Sequence, residues 1–327
     1  MKEILIVGVD VSKEWLDIFI RPMNQAMRIT NNQFGFRSFL KDLKKLYNKG
    51  TSLLVVMEHT GRYSFRFESF LQSKHLGYCK IAALEIKKSM GMTRGKTDKI
   101  DASRIAEYGW LRRDKLKADE PLSESIMKLK SLLSLRSTLV RARSGYISRL
   151  KEVKVCMSNS EAECKVITQM IAVHTKEILH LDQSIKKLIT EDEEFNKNVE
   201  LLRSIKGIGW IIAAQMISTT NNFKKFHDAR KFNCYAGIAP FKHESGKSTY
   251  SKSRVSHMAN KQIKTLLNLA AFCAVRCDKE MKCYYKKRVG EGKNKMSCIN
   301  IIRAKLVTRM FAVIKRQTPY QTFQIAA

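Results

Sequence analysis

Apolar and polar positions divide the chain into three stretches. Over the first ~115 residues, strand-like and helix-like patterns alternate. "ILIVGVDVS" is a continuous apolar run, "WLDIFIRP" follows with period two, and "QAMRIT" supplies a third extended segment, with short polar gaps that predict hairpin connections. In "GFRSFLKDLKKLYNKG", Phe36, Phe39, Leu40, Leu43 and Leu46 fall on one helical face, and Gly50 stops the helix. "SLLVVMEHT" reads as a second buried strand ending in a carboxylate. A helix near 63–74, a short strand "CKIAAL" and a helix "DKIDASRIAEYGWLRR", with Thr97 placed to cap it, complete the region. Beyond Pro121 the period becomes helical throughout. Leu129, Leu132, Leu133, Leu135, Leu139, Ile147 and Leu150 recur in one long stretch, and Ile167, Ile171, Ile178, Leu181, Ile185 and Leu188 in another, with a break at "CMSNSEAE". From Leu201, "LLRSIKGIGWIIAAQMI" places Gly207 and Gly209 between two further helical patterns.

Three antiparallel strands, helix, strand, helix, strand, helix is the order of an α/β ribonuclease-H-like (RuvC-like) domain, expected over 1–118. The two long stretches predict an antiparallel helical hairpin or coiled coil over 119–200. Such a hairpin either pairs with a second copy, as in a dimer, or packs on its own chain. Residues 201–327 form a mostly α region. Its G-x-G turn is either a helix-hairpin-helix-like phosphate contact through backbone N–H groups or a plain helix connection.

Charge narrows the class of partner. Among 327 residues, 61 Lys and Arg face 30 acids, a formal net charge of +31 with pI about 9.9. Residues 224–305 alone hold 20 basic residues against 5 acids, interleaved with aromatics, which fits phosphate contacts. No apolar run approaches the ~20 residues that span a bilayer, and Asp10 interrupts the N-terminal apolar stretch, so neither a membrane protein nor a signal peptide is expected. A cytoplasmic protein is. None of the eight cysteines forms a C-x-x-C pair, and reduced thiols in helices are expected.

Four carboxylates carry the candidate chemistry. Asp10 sits in an apolar strand, where an aspartate loses hydration unless bonded or bound to a cation. Glu58 ends the second apolar strand, which neighbours the first in this topology. Asp98 and Asp101, in "KTDKID", lie one helical turn apart on the helix expected to cross the sheet. Converging carboxylates repel unless divalent cations bind, and oxygen-only ligands suit Mg²⁺ or Mn²⁺. Two such ions stabilise the attacking and leaving oxygens of a phosphodiester. Lys96 and Lys99, beside the acids, would meet the backbone being cut.

"GVDVSK", "MEHTGRY", "GKTDKIDA" and "YAGIAPFKHESG" together resemble the motifs of the DEDD-type, Piv-like insertion-sequence transposases, from residue 4 to about 320. The resemblance implies that the family's acidic tetrad falls on Asp10, Glu58, Asp98 and Asp101, and its serine nucleophile on Ser245. It also implies a transient phosphoserine, strand exchange without ATP, and an acidic domain of one subunit paired with the serine domain of another. Double-stranded DNA would be the substrate, in a homo-oligomer (dimer or tetramer) guided by a bridge RNA. Where relatives tend to show Ser-Lys-x-Gly-Asn, this chain has "SHMAN" at 256–260.

The residues alone say less about the serine. Ser245 is expected in an accessible loop between Pro240 and Gly246, with Lys242, His243 and Lys247 near to hold phosphate and His243 able to take a proton. Ser248, Ser251, Ser253 and Ser256 crowd nearby. A junction-resolving RuvC-like endonuclease with water as nucleophile would share the acids but need no serine. An actin-like sugar kinase would need a second glycine-rich phosphate loop that is missing. A non-enzymatic RNA-binding scaffold would need no metal.

Overall fold

The computed structural model describes residues 4–46, 51–59, 61–91, 98–156, 160–245 and 249–321, with the backbone alone described at 98–99, 243–245 and 249–252. Thr97, the expected cap, lies outside the described residues. The chain divides into two compact units, 1–121 and 122–327.

The first unit is a five-stranded mixed sheet flanked by helices. Strands β1 (Ile4–Val11), β2 (Trp15–Arg21) and β3 (Gln25–Thr30) run as an antiparallel meander, and β4 (Ser52–Glu58) and β5 (Gly77–Ile81) add in parallel, giving the order β3-β2-β1-β4-β5. A parallel neighbour needs a crossover: α1 (Gln33–Leu46) joins β3 to β4, and α2 (Phe65–Ser73) joins β4 to β5. This mixed α/β sheet fits a DEDD nuclease-like fold.

Period-two alternation in β1 sorts its side chains onto two faces. Leu5, Val7, Val9 and Val11 join Phe36, Phe39, Phe67 and Phe70 of α1 and α2 in one core. Ile6 joins Leu54, Val56, Cys79, Ile105 and Tyr108 in another, beneath α4 (Asp98–Leu111). Burying these aliphatic and aromatic side chains contributes roughly 1.5–3 kcal/mol each. The expected strand "CKIAAL" stops at Ile81, because Ala83–Ser89 turns into a short helix, α3. Cys79 lies in this strand, as "CKIAAL" predicts.

The second unit is helical apart from one hairpin. Helices α5 (Glu124–Cys156) and α6 (Glu161–Thr190) lie side by side. Arg136 is bonded to Asp182, Arg143 to Thr175 at 3.4 Å, and Arg149 to Glu163 at 3.0 Å, and the Tyr146 ring lies against His174. As one partner number rises the other falls, so the two helices run antiparallel. Their far residues Ile126, Leu129, Leu133, Ile185 and Ile189 share a core with α7 (Glu193–Arg203), α8 (Trp210–Thr220), α9 (Ala229–Tyr235), α10 (Lys261–Cys277), α11 (Lys279–Gly290) and α12 (Lys295–Arg316). Among the described residues, the sheet of this unit pairs β6 (Pro240–Ser245) with β7 (Thr249–Val255), antiparallel.

Candidate active site

Register brings the first two acids together. In the parallel β1–β4 ladder, Ile4 faces Ser52 and Val9 faces Met57. One residue further in that register, Asp10 lies beside Glu58. On the other side of β1, Asp10 pairs with Asp17 of β2, and Asp17 pairs with Arg28 of β3. Paired residues on neighbouring strands project to the same face. A row of Arg28, Asp17, Asp10 and Glu58 therefore crosses four strands. Because Asp10 alternates with Val9 and Val11, the row lies on the α4 face.

The position of α4 follows from close packing. A methyl group at Gly109 would lie 2.7 Å from Ile6 Cγ2 and 2.9 Å from Val56 Cγ2. One at Gly8 would lie 2.3 Å from the Ala106 amide nitrogen and 2.6 Å from the Ala102 carbonyl oxygen. Only glycine at position 8 lets the helix backbone come this close. The helix runs opposite to β1, with Gly109 over Ile6 and Ala102 over Gly8. Its first turn, carrying Asp98 and Asp101, lies over the end of β1 that carries Asp10. Ala102 and Ile105 are buried against the sheet, and the 3.6-residue period puts positions 98 and 101 on the same stripe.

The acids differ in their surroundings. Asp10, Glu58 and Asp101 are half-buried, and Arg104 donates to Asp101 Oδ1 at 3.0 Å. The Asp98 side chain lies outside the described residues. Among the described residues, no three His, Cys, Asp or Glu side chains close into a set that could hold an ion. Asp10 and Glu58 of the row, with Asp101 above them, offer carboxylate oxygens, which fits a hard divalent cation. Asp17, which the sequence reading passed over, is 7% exposed and neutralised by a bidentate Arg28 at 2.8 and 2.9 Å. Its signal was an aspartate at an apolar-strand position of "WLDIFIRP", the same signal that marked Asp10.

Four further contacts brace the frame. Arg21 of β2 is ion-paired with Glu107 of α4, and Tyr108 of α4 donates to Glu85 of α3. Burial, reinforced by that bond to Glu85, pushes the Tyr108 hydroxyl up to about 12. On the opposite face, Lys80 Nζ pairs with the buried Glu68 at 2.7 Å, and Ser64 donates to Glu68 at 2.6 Å.

The other expected residues belong to the second unit or to undescribed stretches. Ser245 was expected in a loop; its backbone is the last residue of β6, paired with Thr249. Alternating "FKHES" and "TYSKSRV" tolerates extended pairing, and the hairpin hides the strand signal behind Pro240 and the polar residues. Lys242 is exposed on β6, and His243 has its backbone in the same strand. Lys96 and Lys247 lie outside the described residues, and so does the Lys99 side chain. Gly207 has φ +94°, and a methyl there would lie 2.9 Å from the Ala270 carbonyl oxygen, so the turn is packed on α10. Gly209 caps α8 with no side-chain bond to its first amides, and no other atom would meet a methyl there within 4 Å. Arg203 stacks 4.6 Å from the Trp210 ring centre beside that helix start.

Comparison with known proteins places both units. A DEDD-type family model of IS110 elements, described as a transposase, matches residues 7–153, and the model described as the transposase IS116/IS110/IS902 family matches 199–286. The chain is 27% identical over 320 residues to the pilin gene-inverting protein of Moraxella bovis, covering 96% of this chain and 97% of that protein. It is 22% identical over 352 residues to the transposase for insertion sequence element IS1111A of Coxiella burnetii, covering 98% of this chain and 92% of that one. With an α/β acid-bearing sheet under the first match and a basic helical unit under the second, the chain belongs to the DEDD-type IS110 transposases, enzymes of DNA strand transfer.

Proposed function

We propose that this enzyme cuts and rejoins DNA through a covalent phosphoserine at Ser245, with Asp10, Glu58, Asp98 and Asp101 as the set that takes Mg²⁺ or Mn²⁺. The observation that carries the acidic half is the row across the sheet, Asp10 beside Glu58, with the first turn of α4 laid over it. A divalent cation bound there supplies Lewis-acid stabilisation of oxygens on the scissile phosphate. Asp17 stays outside the set, because Arg28 occupies both of its oxygens.

The chemistry balances without ATP. Ser245 Oγ attacks phosphorus and gives up its proton, a phosphorus–oxygen bond of the DNA breaks, and the leaving oxygen takes a proton. A hydroxyl of the exchanged strand then attacks the phosphoserine, and Ser245 recovers its proton as the serine–phosphorus bond breaks. His243 or water takes the proton, and Lys242 and Lys247 steady the phosphate. Lys96 and Lys99 would meet the strand near the acids, and the amides after Gly207 and Gly209 another backbone phosphate.

On this reading residues 1–118 form the acid-bearing RuvC-like domain, 119–200 the dimerising coiled coil and 201–327 the serine-bearing domain with its helix-hairpin-helix-like turn. Dimerisation is supported by exposed Leu135, Ile147, Val155, Val166, Val173 and Leu179 on α5 and α6, apolar surface that a second copy would cover. A guide RNA is supported by the excess of 20 basic residues over 5 acids across 224–305, more than a single short DNA contact requires. The test is Ser245→Ala: cleavage lost with DNA binding kept supports the reading, whereas cleavage by the alanine enzyme would make water the nucleophile.

A further inference from the structure

Beneath the turn that leads into β6, two cations lie close together with no carboxylate partner among the described residues. Arg303 of α12 is 6% exposed. Its guanidinium donates to Asn300 Oδ1 at 3.3 Å and to Asn268 Oδ1 of α10, and its Nε has no partner. Lys264, in the first turn of α10, is half-buried, and a methyl at Gly237 would lie 3.7 Å from its Nζ. Among the described residues its ammonium makes no hydrogen bond or ion pair. Asn300 Nδ2 donates to the Ile238 carbonyl at 2.8 Å, tying the cluster to the turn two residues before β6.

Burial holds the Lys264 ammonium below its usual range, and the charge of Arg303 adds to the effect; burial alone lowers Arg303. Elsewhere in this unit a buried arginine is matched: Arg309 donates to Asp278 at 2.8 Å and to Glu280. A buried arginine normally has such a partner, because desolvating an unpaired charge costs several kcal/mol. At Arg303 two carboxamide oxygens stand in that place, and a second cation is added. The cluster is built for a negative charge, and no carboxylate among the described residues supplies it.

We propose that Lys264 and Arg303 form a binding site for a DNA backbone phosphate at the base of the hairpin that ends in Ser245. Lys264 reaches the phosphate, and Arg303 acts from behind it, positioned by Asn268 and Asn300. The proposal rests on the strand-transfer reading for the identity of the anion, but not on Ser245 being the nucleophile. A site here would anchor the strand near the hairpin whichever group attacks.

The test measures binding of a fluorescent DNA duplex by anisotropy across a salt titration, alongside thermal melting, for wild type, Lys264→Gln and Arg303→Met. Lys264→Gln should weaken binding roughly tenfold at low salt and make the log–log salt slope shallower by about 0.9, the signature of one lost phosphate contact. Arg303→Met should also weaken binding while the free protein melts no lower than wild type, since it removes an unpaired buried charge. Wild-type affinity and slope in Lys264→Gln, with a lowered melting temperature in Arg303→Met, would show that the cluster only packs the fold. If inorganic phosphate raises the wild-type melting temperature while Lys264→Gln still binds DNA normally, the site takes a free anion and the DNA assignment fails. Binding requires no cleavage, so a Ser245→Ala enzyme that still cuts but keeps its Lys264 dependence of binding would sink the serine reading and leave this site standing, whereas an inactive Ser245→Ala enzyme whose binding ignores Lys264 would do the reverse.

Discussion

The two units solve opposite problems. The first has 23 Lys and Arg against 14 acids, and it spends its order on fixing carboxylates: ladder register aligns Asp10 with Glu58, and glycine at position 8 seats α4 over them. The second has 38 against 16, and the proposed nucleophile Ser245 ends the first strand of a two-stranded hairpin. Holding a cation demands positions fixed by hydrogen-bonded strands, because like charges otherwise repel. Presenting a nucleophile to a large polyanion demands access and positive charge. On the proposed reading, geometry is stored in the first unit and affinity in the second.

Breaking the geometry should have the largest effect. Asp10→Asn and Asp101→Asn should each cut DNA cleavage by about a thousandfold or more with divalent cation present, while DNA binding measured by anisotropy stays close to wild type. Equal loss of binding would mean that the first unit also carries the affinity. Gly8→Val should act through the same site without touching an acid. A side chain there meets the backbone of α4, so about 2–3 kcal/mol of stability should go, read as a lower urea midpoint, along with activity.

Charge comes next. Affinity for duplex DNA should fall steeply with salt, and reversing a pair of exposed lysines on α11, such as Lys286 and Lys287, should flatten that slope without changing cleavage of bound DNA. A flat salt response in the wild type would break the comparison from the other side. Removing one partner of the buried pair, as in Lys80→Met, should cost about 3 kcal/mol in urea unfolding, because Glu68 is left charged and buried. The smallest effect concerns thiols. Burial pushes Cys79 up to about 12, so at pH 8 it stays protonated and should resist iodoacetamide under native conditions, whereas the exposed Cys156 and Cys283 react.

Much of the first unit was legible because its signals are local and periodic. An aspartate amid valines marks Asp10, and an apolar run ending in glutamate marks Glu58. Strand order then follows from the short hairpins. What stayed hidden depended on contacts distant in sequence. Asp17 carried the same signal as Asp10, but only its cross-strand Arg28 reveals that it is neutralised. The expected strand "CKIAAL" runs into Ala83 and Leu84 of α3, because "IAAL" is apolar without a period long enough to separate strand from helix. Ser245 read as loop because Pro240 and a polar alternation mask a hairpin that depends on its partner strand. Lys264 and Arg303, 39 positions apart on two helices, gave no signal at all, since each looks like an ordinary surface cation until packing brings them together.

On the proposed mechanism, acids held by the first unit and a hydroxyl of the second act on one phosphodiester. The most direct measurement of this is denaturing electrophoresis of labelled suicide DNA after incubation with wild type, Ser245→Ala and Asp10→Asn in the presence of Mg²⁺. A protein–DNA adduct in the wild type that disappears in both variants is the predicted result. Cleavage without an adduct in the wild type, or an adduct that persists in Ser245→Ala, would contradict it.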